Sequence, residues 1–82
     1  MLDEKIVFYG VNWCWQSRRA RRFLDKNNVP YKFVNIDKDT EGEMFVIKTN
    51  QGMRSVPTIV FEDGCILVEP TNSQIAEKLN LL

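Results

Sequence analysis

Histidine is absent from this 82-residue chain, and that gap removes a wide set of chemistries. Cysteine–histidine and serine–histidine nucleophile pairs cannot be built, and most zinc sites lose a usual ligand. Cysteine is scarce. Cys14 and Cys65 are the two present, too few and too unlike in setting for a disulfide framework. Net charge is missing as well: eleven Lys and Arg balance eleven Asp and Glu, so no overall field draws the chain to nucleic acid or an acidic bilayer. Apolar runs are only a few residues long, far short of the roughly 20 that span a membrane. Residues 1 to 8 carry Asp3 and Glu4 without a long apolar stretch, which is not the pattern of a secretory leader. A cytoplasmic, reducing location is the default expectation, with no nucleic-acid or membrane partner.

What is present suits one small domain, residues 1–82, since a chain this short has no room for a second core. Apolar residues make up 44% and charged residues 27%, an ordinary globular balance that excludes disorder. Lys5-Ile6-Val7-Phe8-Tyr9 reads as a first strand buried on both faces, ending at Gly10. A helix follows from about Cys14 to Asn27, with Ala20, Phe23 and Leu24 spaced i, i+3, i+4 on one face. Asn27-Asn28-Val29-Pro30 stops it, and residues 31 to 37 alternate as a second strand. A second helix opens at Asp39-Thr40, where Thr40 and Glu43 have capping-box spacing, and runs to about Asn50. Residues 56 to 61 and 65 to 68 form two strands joined by the Glu62-Asp63-Gly64 turn. Thr71 or Asn72 then caps a last helix whose buried stripe is Ile75, Ala76 and Leu79. The order βαβαββα predicts an α/β fold.

Cys14 lies where a strand has ended and a helix is starting. Unpaired N–H groups and the positive end of the helix dipole favour a thiolate there. Pro57 marks a second spot. It lacks a ladder donor, so it must open its strand and put residues 56 to 58 at the same end of the sheet as Cys14.

Trp13-Cys14-x-x-Ser17 opening a helix, Ser55-Val56-Pro57-Thr58 opening a strand, and Asp63-Gly64 at a hairpin resemble a glutaredoxin of the thioredoxin superfamily. The run from Arg54 through Glu69-Pro70 is most similar to the mycoredoxin branch. The resemblance implies a thioredoxin-like (glutaredoxin) fold, a four-stranded mixed sheet flanked by three helices. It also implies a cis proline at Pro57, with Val56 offering its backbone to a bound thiol. Two departures stand out. Ser17 replaces the second cysteine of Cys-x-x-Cys, and Val11 and Glu69-Pro70-Thr71-Asn72 replace the lysine and Gly-Gly-x-Asp segments of many glutaredoxins.

Ser17 cannot resolve a mixed disulfide, and Cys65 cannot substitute for it. A strand from Pro57 to Asp63 carries the chain roughly 20 Å away, whereas a disulfide needs Cα atoms within about 7 Å. The expected activity is therefore that of a monomeric, monothiol thiol–disulfide oxidoreductase. Glutathione or a similar small thiol serves as co-substrate, protein or mixed disulfides are the partners, and no metal is expected. Cys14 and Ser17 are the candidate catalytic residues. Trp13, Trp15, Gln16, Arg54, Val56, Pro57, Thr71 and Asn72 are the candidate substrate contacts. Arg54, and the N–H groups near Thr71 and Asn72, are assigned to glutathione carboxylates. The competing readings are an iron–sulfur protein, with Cys14 from two chains and two glutathiones as ligands, and a redox-silent interaction module of the same fold.

Overall fold

The computed structural model describes residues 5–81; Asp3 and Glu4, on which the leader argument rests, lie outside them. The elements are β1 Val7–Gly10, α1 Trp15–Lys26, β2 Lys32–Asn35, α2 Thr40–Thr49, β3 Thr58–Val60, β4 Ile66–Val68 and α3 Asn72–Lys78. They form one sheet in the order β2-β1-β3-β4. β1 pairs parallel with β2 and antiparallel with β3, and β3 pairs antiparallel with β4. The order is the βαβαββα read from sequence, with shorter strands. Strand propensity persists to Asp37, but the strand ends at Asn35, and after one further bond from the Ile36 N–H to the Gly10 carbonyl the chain turns back on itself. There the Asp37 N–H donates to the Asn35 side chain and the Lys38 and Asp39 N–H groups donate to the Asn35 carbonyl.

Period-2 alternation sorts the central strand. Phe8 and Gly10 are buried towards α1 and α3, where Ala20, Leu24, Ile59 and Ile75 close one core. Val7 and Tyr9 face α2 and are only half-buried, with Tyr9 stacked on Phe45 at 4.7 Å. The expectation of a first strand buried on both faces is thus corrected on the α2 side, where a single short helix covers the sheet. Val11, Val34, Ile36 and Val46 make that second core.

The helix ends follow local chemistry. The α1 helix stops at Asn27, whose side chain donates to the Phe23 carbonyl, and Asn28 takes φ 58°. The α2 helix is capped by Asp39, whose carboxylate accepts the Gly42 N–H at 2.8 Å. The Thr40–Glu43 capping box is corrected accordingly, because Thr40 already lies inside the helix. A Cβ on Gly42 would sit 2.6 Å from Val34 Cγ1, so glycine lets α2 close onto β2. Thr71 caps α3 in a full capping box with Gln74.

Candidate active site at the start of the first helix

β1 delivers the chain to Gly10 and the wholly buried Val11, and α1 begins four residues later. Cys14 is the N-cap residue. Its backbone is extended (φ −86°, ψ 125°), and its carbonyl accepts the Arg18 N–H at 3.0 Å. Its side chain makes no cap bond and the first turn of α1 holds no acidic residue. The positive end of α1 therefore lies at Cys14 with no carboxylate in its own first turn. Cys14 is half-buried, resting with Val56 against the core beneath α2. That shared support brings the cysteine loop and the proline segment to one end of the sheet.

The Val56–Pro57 peptide bond is cis. Pro57 is buried immediately before β3, and its carbonyl accepts the Glu69 N–H at 2.8 Å. Thr58, fully buried, donates to the Ser55 carbonyl at 2.8 Å and accepts from Asn50 Nδ2 at 3.2 Å. These two bonds brace the proline segment from both sides.

The two tryptophans flank the cysteine and are largely exposed, Trp13 at 67% and Trp15 at 61%. Each has a polar fastening. Trp13 Nε1–H donates to Asp37 Oδ2 at 2.7 Å, and the Arg19 guanidinium lies 4.7 Å from the Trp15 ring centroid. Arg19 also donates to the Pro70 carbonyl at 3.4 Å, tying α1 to the turn before α3. Gln16 is half-buried in the first turn of α1.

Three expected roles meet a different geometry. Ser17 is fully buried, and its hydroxyl accepts the Val11 N–H at 3.5 Å. Arg54, assigned to a substrate carboxylate, donates instead to Asp37 Oδ1 at 2.6 Å and Glu43 Oε2 at 2.7 Å. The Arg54 guanidinium, and secondly the Trp13 indole, hold the Asp37 carboxyl below its ordinary value. Thr71 and Asn72 do reach the Cys14 end, because β4 returns there. The Thr71 N–H, however, is taken by Gln74 Oε1 at 2.8 Å. Beside them Arg19 Nε and Asn72 Oδ1 are enclosed without a partner.

Cys65 is placed as its spacing implied, in the far hairpin, where its carbonyl accepts the Phe61 N–H and its side chain packs on the α1–α3 core. Both cysteines are free thiols. A concavity of about 520 Å³ lined by Ile6, Phe61, Lys78 and Leu79 lies at that same end, away from the nucleophile. Sequence reasoning missed Asp37, Glu43 and Arg19. Only the proximity of Asp37 to the end of a strand hinted at the first.

A family model described as Glutaredoxin matches residues 6–66. A Mycobacterium tuberculosis protein assigned to the glutaredoxins is 32% identical over 79 residues, which cover 96% of this chain and 94% of that protein. Mycoredoxin 1 of Corynebacterium glutamicum is 29% identical over 79 residues, covering 96% of this chain and 98% of its own. Among solved structures, a mutant of the thioredoxin-like protein BC3987 superposes with a TM-score of 0.83 at 22% identity, over 98% of this chain and 100% of that one. The glutaredoxin from Archaeoglobus fulgidus gives 0.75 at 24% identity, over 93% and 86%. These two likenesses establish the thioredoxin-like fold. The matched residues run from the first strand past Cys14 and Pro57 into the last hairpin, stopping before Thr71 and α3, and the chain belongs to the glutaredoxin family of thiol–disulfide oxidoreductases.

Proposed function

We propose that the chain is a monothiol oxidoreductase acting on mixed disulfides of glutathione or a similar small thiol, as a monomer in a reducing cytoplasm. The observation that carries this is the half-buried Cys14 thiol at the head of α1, with serine at the resolving position and Cys65 at the opposite end of the sheet. The Cys14 thiolate attacks one sulfur of R–S–S–R′. A Cys14–S–S–R bond forms, the S–S bond of the substrate breaks, and R′–S⁻ leaves with the electron pair. A second small thiolate then attacks the R sulfur, releasing Cys14 as thiolate and carrying R away in a new disulfide. The net change is an exchange: one small thiol is consumed, R′ is released as a thiol, and R passes from one disulfide to another.

Val56 is the proposed backbone contact. Its peptide groups make no backbone hydrogen bond among the described residues, leaving an N–H and a C=O to pair with the extended cysteinyl part of a substrate. Pro57 sets the direction of that segment, and Trp13, Trp15 and Gln16 are the surfaces that meet the rest of the small thiol. At the start of α3, the Asn72 amide is the proposed contact for a substrate carboxylate, with Thr71 holding the turn.

The test is a mass spectrum of the reduced protein after treatment with oxidised glutathione. The expected result is one glutathionyl adduct, located on Cys14 and removed by excess reduced glutathione. An adduct confined to Cys65, or none, would refute the reading.

A further inference from the structure

Trp13 is exposed enough that packing alone does not hold its ring. A chain of hydrogen bonds does. The indole N–H donates to one Asp37 carboxylate oxygen at 2.7 Å, the other oxygen accepts from Arg54 at 2.6 Å, and Arg54 Nε donates to Glu43 at 2.7 Å. The links join the loop before Cys14, the turn after β2, the loop before Pro57 and the first turn of α2. Each involves an ionised group, which makes it shorter and stronger than a neutral bond. Arg54 thus faces two carboxylates of its own chain with a single positive charge, so its guanidinium is already engaged by Asp37 and Glu43 before any substrate carboxylate arrives.

We propose that Asp37 and Arg54 are positioning residues: Arg54 acts through Asp37 on Trp13, holding the indole as a wall for the small thiol beside Cys14, and does not itself bind the substrate. The inference rests on Cys14 being the nucleophile for small mixed disulfides. Glu43 completes the strap by fixing the guanidinium plane, which a planar fork with two donors engaged requires.

The experiment compares two mixed disulfides that share a reporter thiol, one carrying glutathione and one carrying cysteamine, which has no carboxylate. Arg54→Gln and Asp37→Ala should each raise KM about threefold to tenfold, the worth of one ordinary net hydrogen bond at a solvent-exposed site. The rise should be the same for both substrates, with kcat within about twofold on this scale. Asp37→Asn, which keeps an acceptor for the indole, should recover most of the loss. In a Trp13→Phe background Arg54→Gln should add nothing, the sign of two residues acting as a unit. A KM rise confined to the glutathione substrate would overturn the proposal, since it would mean that Arg54 meets the carboxylate.

A second readout does not depend on turnover. With Trp15→Phe, Trp13 is the sole tryptophan, and its emission should change on Arg54→Gln as well as on Asp37→Ala. Unchanged emission in the Arg54 variant would overturn the strap. If the wild-type protein turns over neither disulfide, the proposed function fails, while the emission measurement still decides whether the strap exists.

Discussion

Replacing Gly10 by alanine should loosen the seat of the active-site helix. The new Cβ would lie 2.8 Å from Phe8 Cε1 and 3.0 Å from Ser17 Oγ, where carbon atoms prefer about 3.5–4.0 Å. Neither neighbour retreats easily. The Phe8 ring is fully buried, 5.7 Å from Tyr31 and 5.9 Å from Phe33 by ring centroids, and Ser17 is a short side chain fixed to α1. Either β1 and α1 separate or the Phe8 ring shifts off its packing, at about 1–3 kcal/mol. The loss of glycine's freedom in the unfolded chain offsets about 0.4–1 kcal/mol of that. A net destabilisation of about 1–2 kcal/mol corresponds to a Tm lower by roughly 4–16 °C for a domain of this size.

Thermal unfolding followed by circular dichroism measures the shift, and the alkylation rate of Cys14 in a Cys65→Ser background reports whether the loop has moved. Ser17→Ala supplies the internal control. Alone it strands the buried Val11 N–H, costing about 1–3 kcal/mol, but beside Gly10→Ala it also removes one of the two clashes, so the losses should be less than additive. A Gly10→Ala protein as stable as wild type, with additive losses in the double variant, would refute the packing argument.

Ser17→Cys should convert the site to a dithiol. Cα atoms at i and i+3 around a helix lie about 5 Å apart, inside the roughly 4.4–6.8 Å that a disulfide spans, so mild oxidation should remove two hydrogens by mass and the glutathione adduct should no longer persist. Thr71→Ala should cost about 1 kcal/mol by removing the acceptor of the Gln74 N–H, seen as a Tm lower by about 4–8 °C. The Asp63–Lys78 ion pair gives a pH signature. Hydrogen bonding to Lys78 lowers the Asp63 pKa from 3.8, and hydrogen bonding to Asp63 raises that of Lys78 from 10.5. The Asp63 contribution is therefore complete above pH 3.8 and is lost as pH falls through the lower folded value. The Lys78 contribution is complete below pH 10.5 and is lost as pH rises through the higher folded value. The Tm difference between wild type and Asp63→Asn should be flat across the neutral range and shrink at the acid end. A difference that varies through neutrality would contradict this.

The element order was legible because its signals are local. The apolar stripe of α1 and the stop at Asn27-Asn28 are both written within a few residues of where they act. Strand lengths were not, since pairing ends where the partner turns away, as Asn35 shows by accepting three N–H groups from the turn after it. The capping-box pattern at Thr40–Glu43 misled because Asp39, one residue earlier, had the better geometry. The site divided along the same line. Cys14 and Pro57 were found from their neighbours in the chain, while Asp37, Glu43 and Arg19 matter only for what they touch at long range.

By itself the sequence determined that no imidazole assists the thiol, that Cys14 heads a helix, and that Cys65 sits a strand's length away. Each follows from composition or from the rise per residue of a regular element. Tertiary structure alone decided that Ser17 turns its hydroxyl to Val11 and that Arg54 spends its donors on Asp37 and Glu43. A guanidinium pairs with whichever carboxylates the fold brings within hydrogen-bond reach, and spacing along the chain does not say which those are.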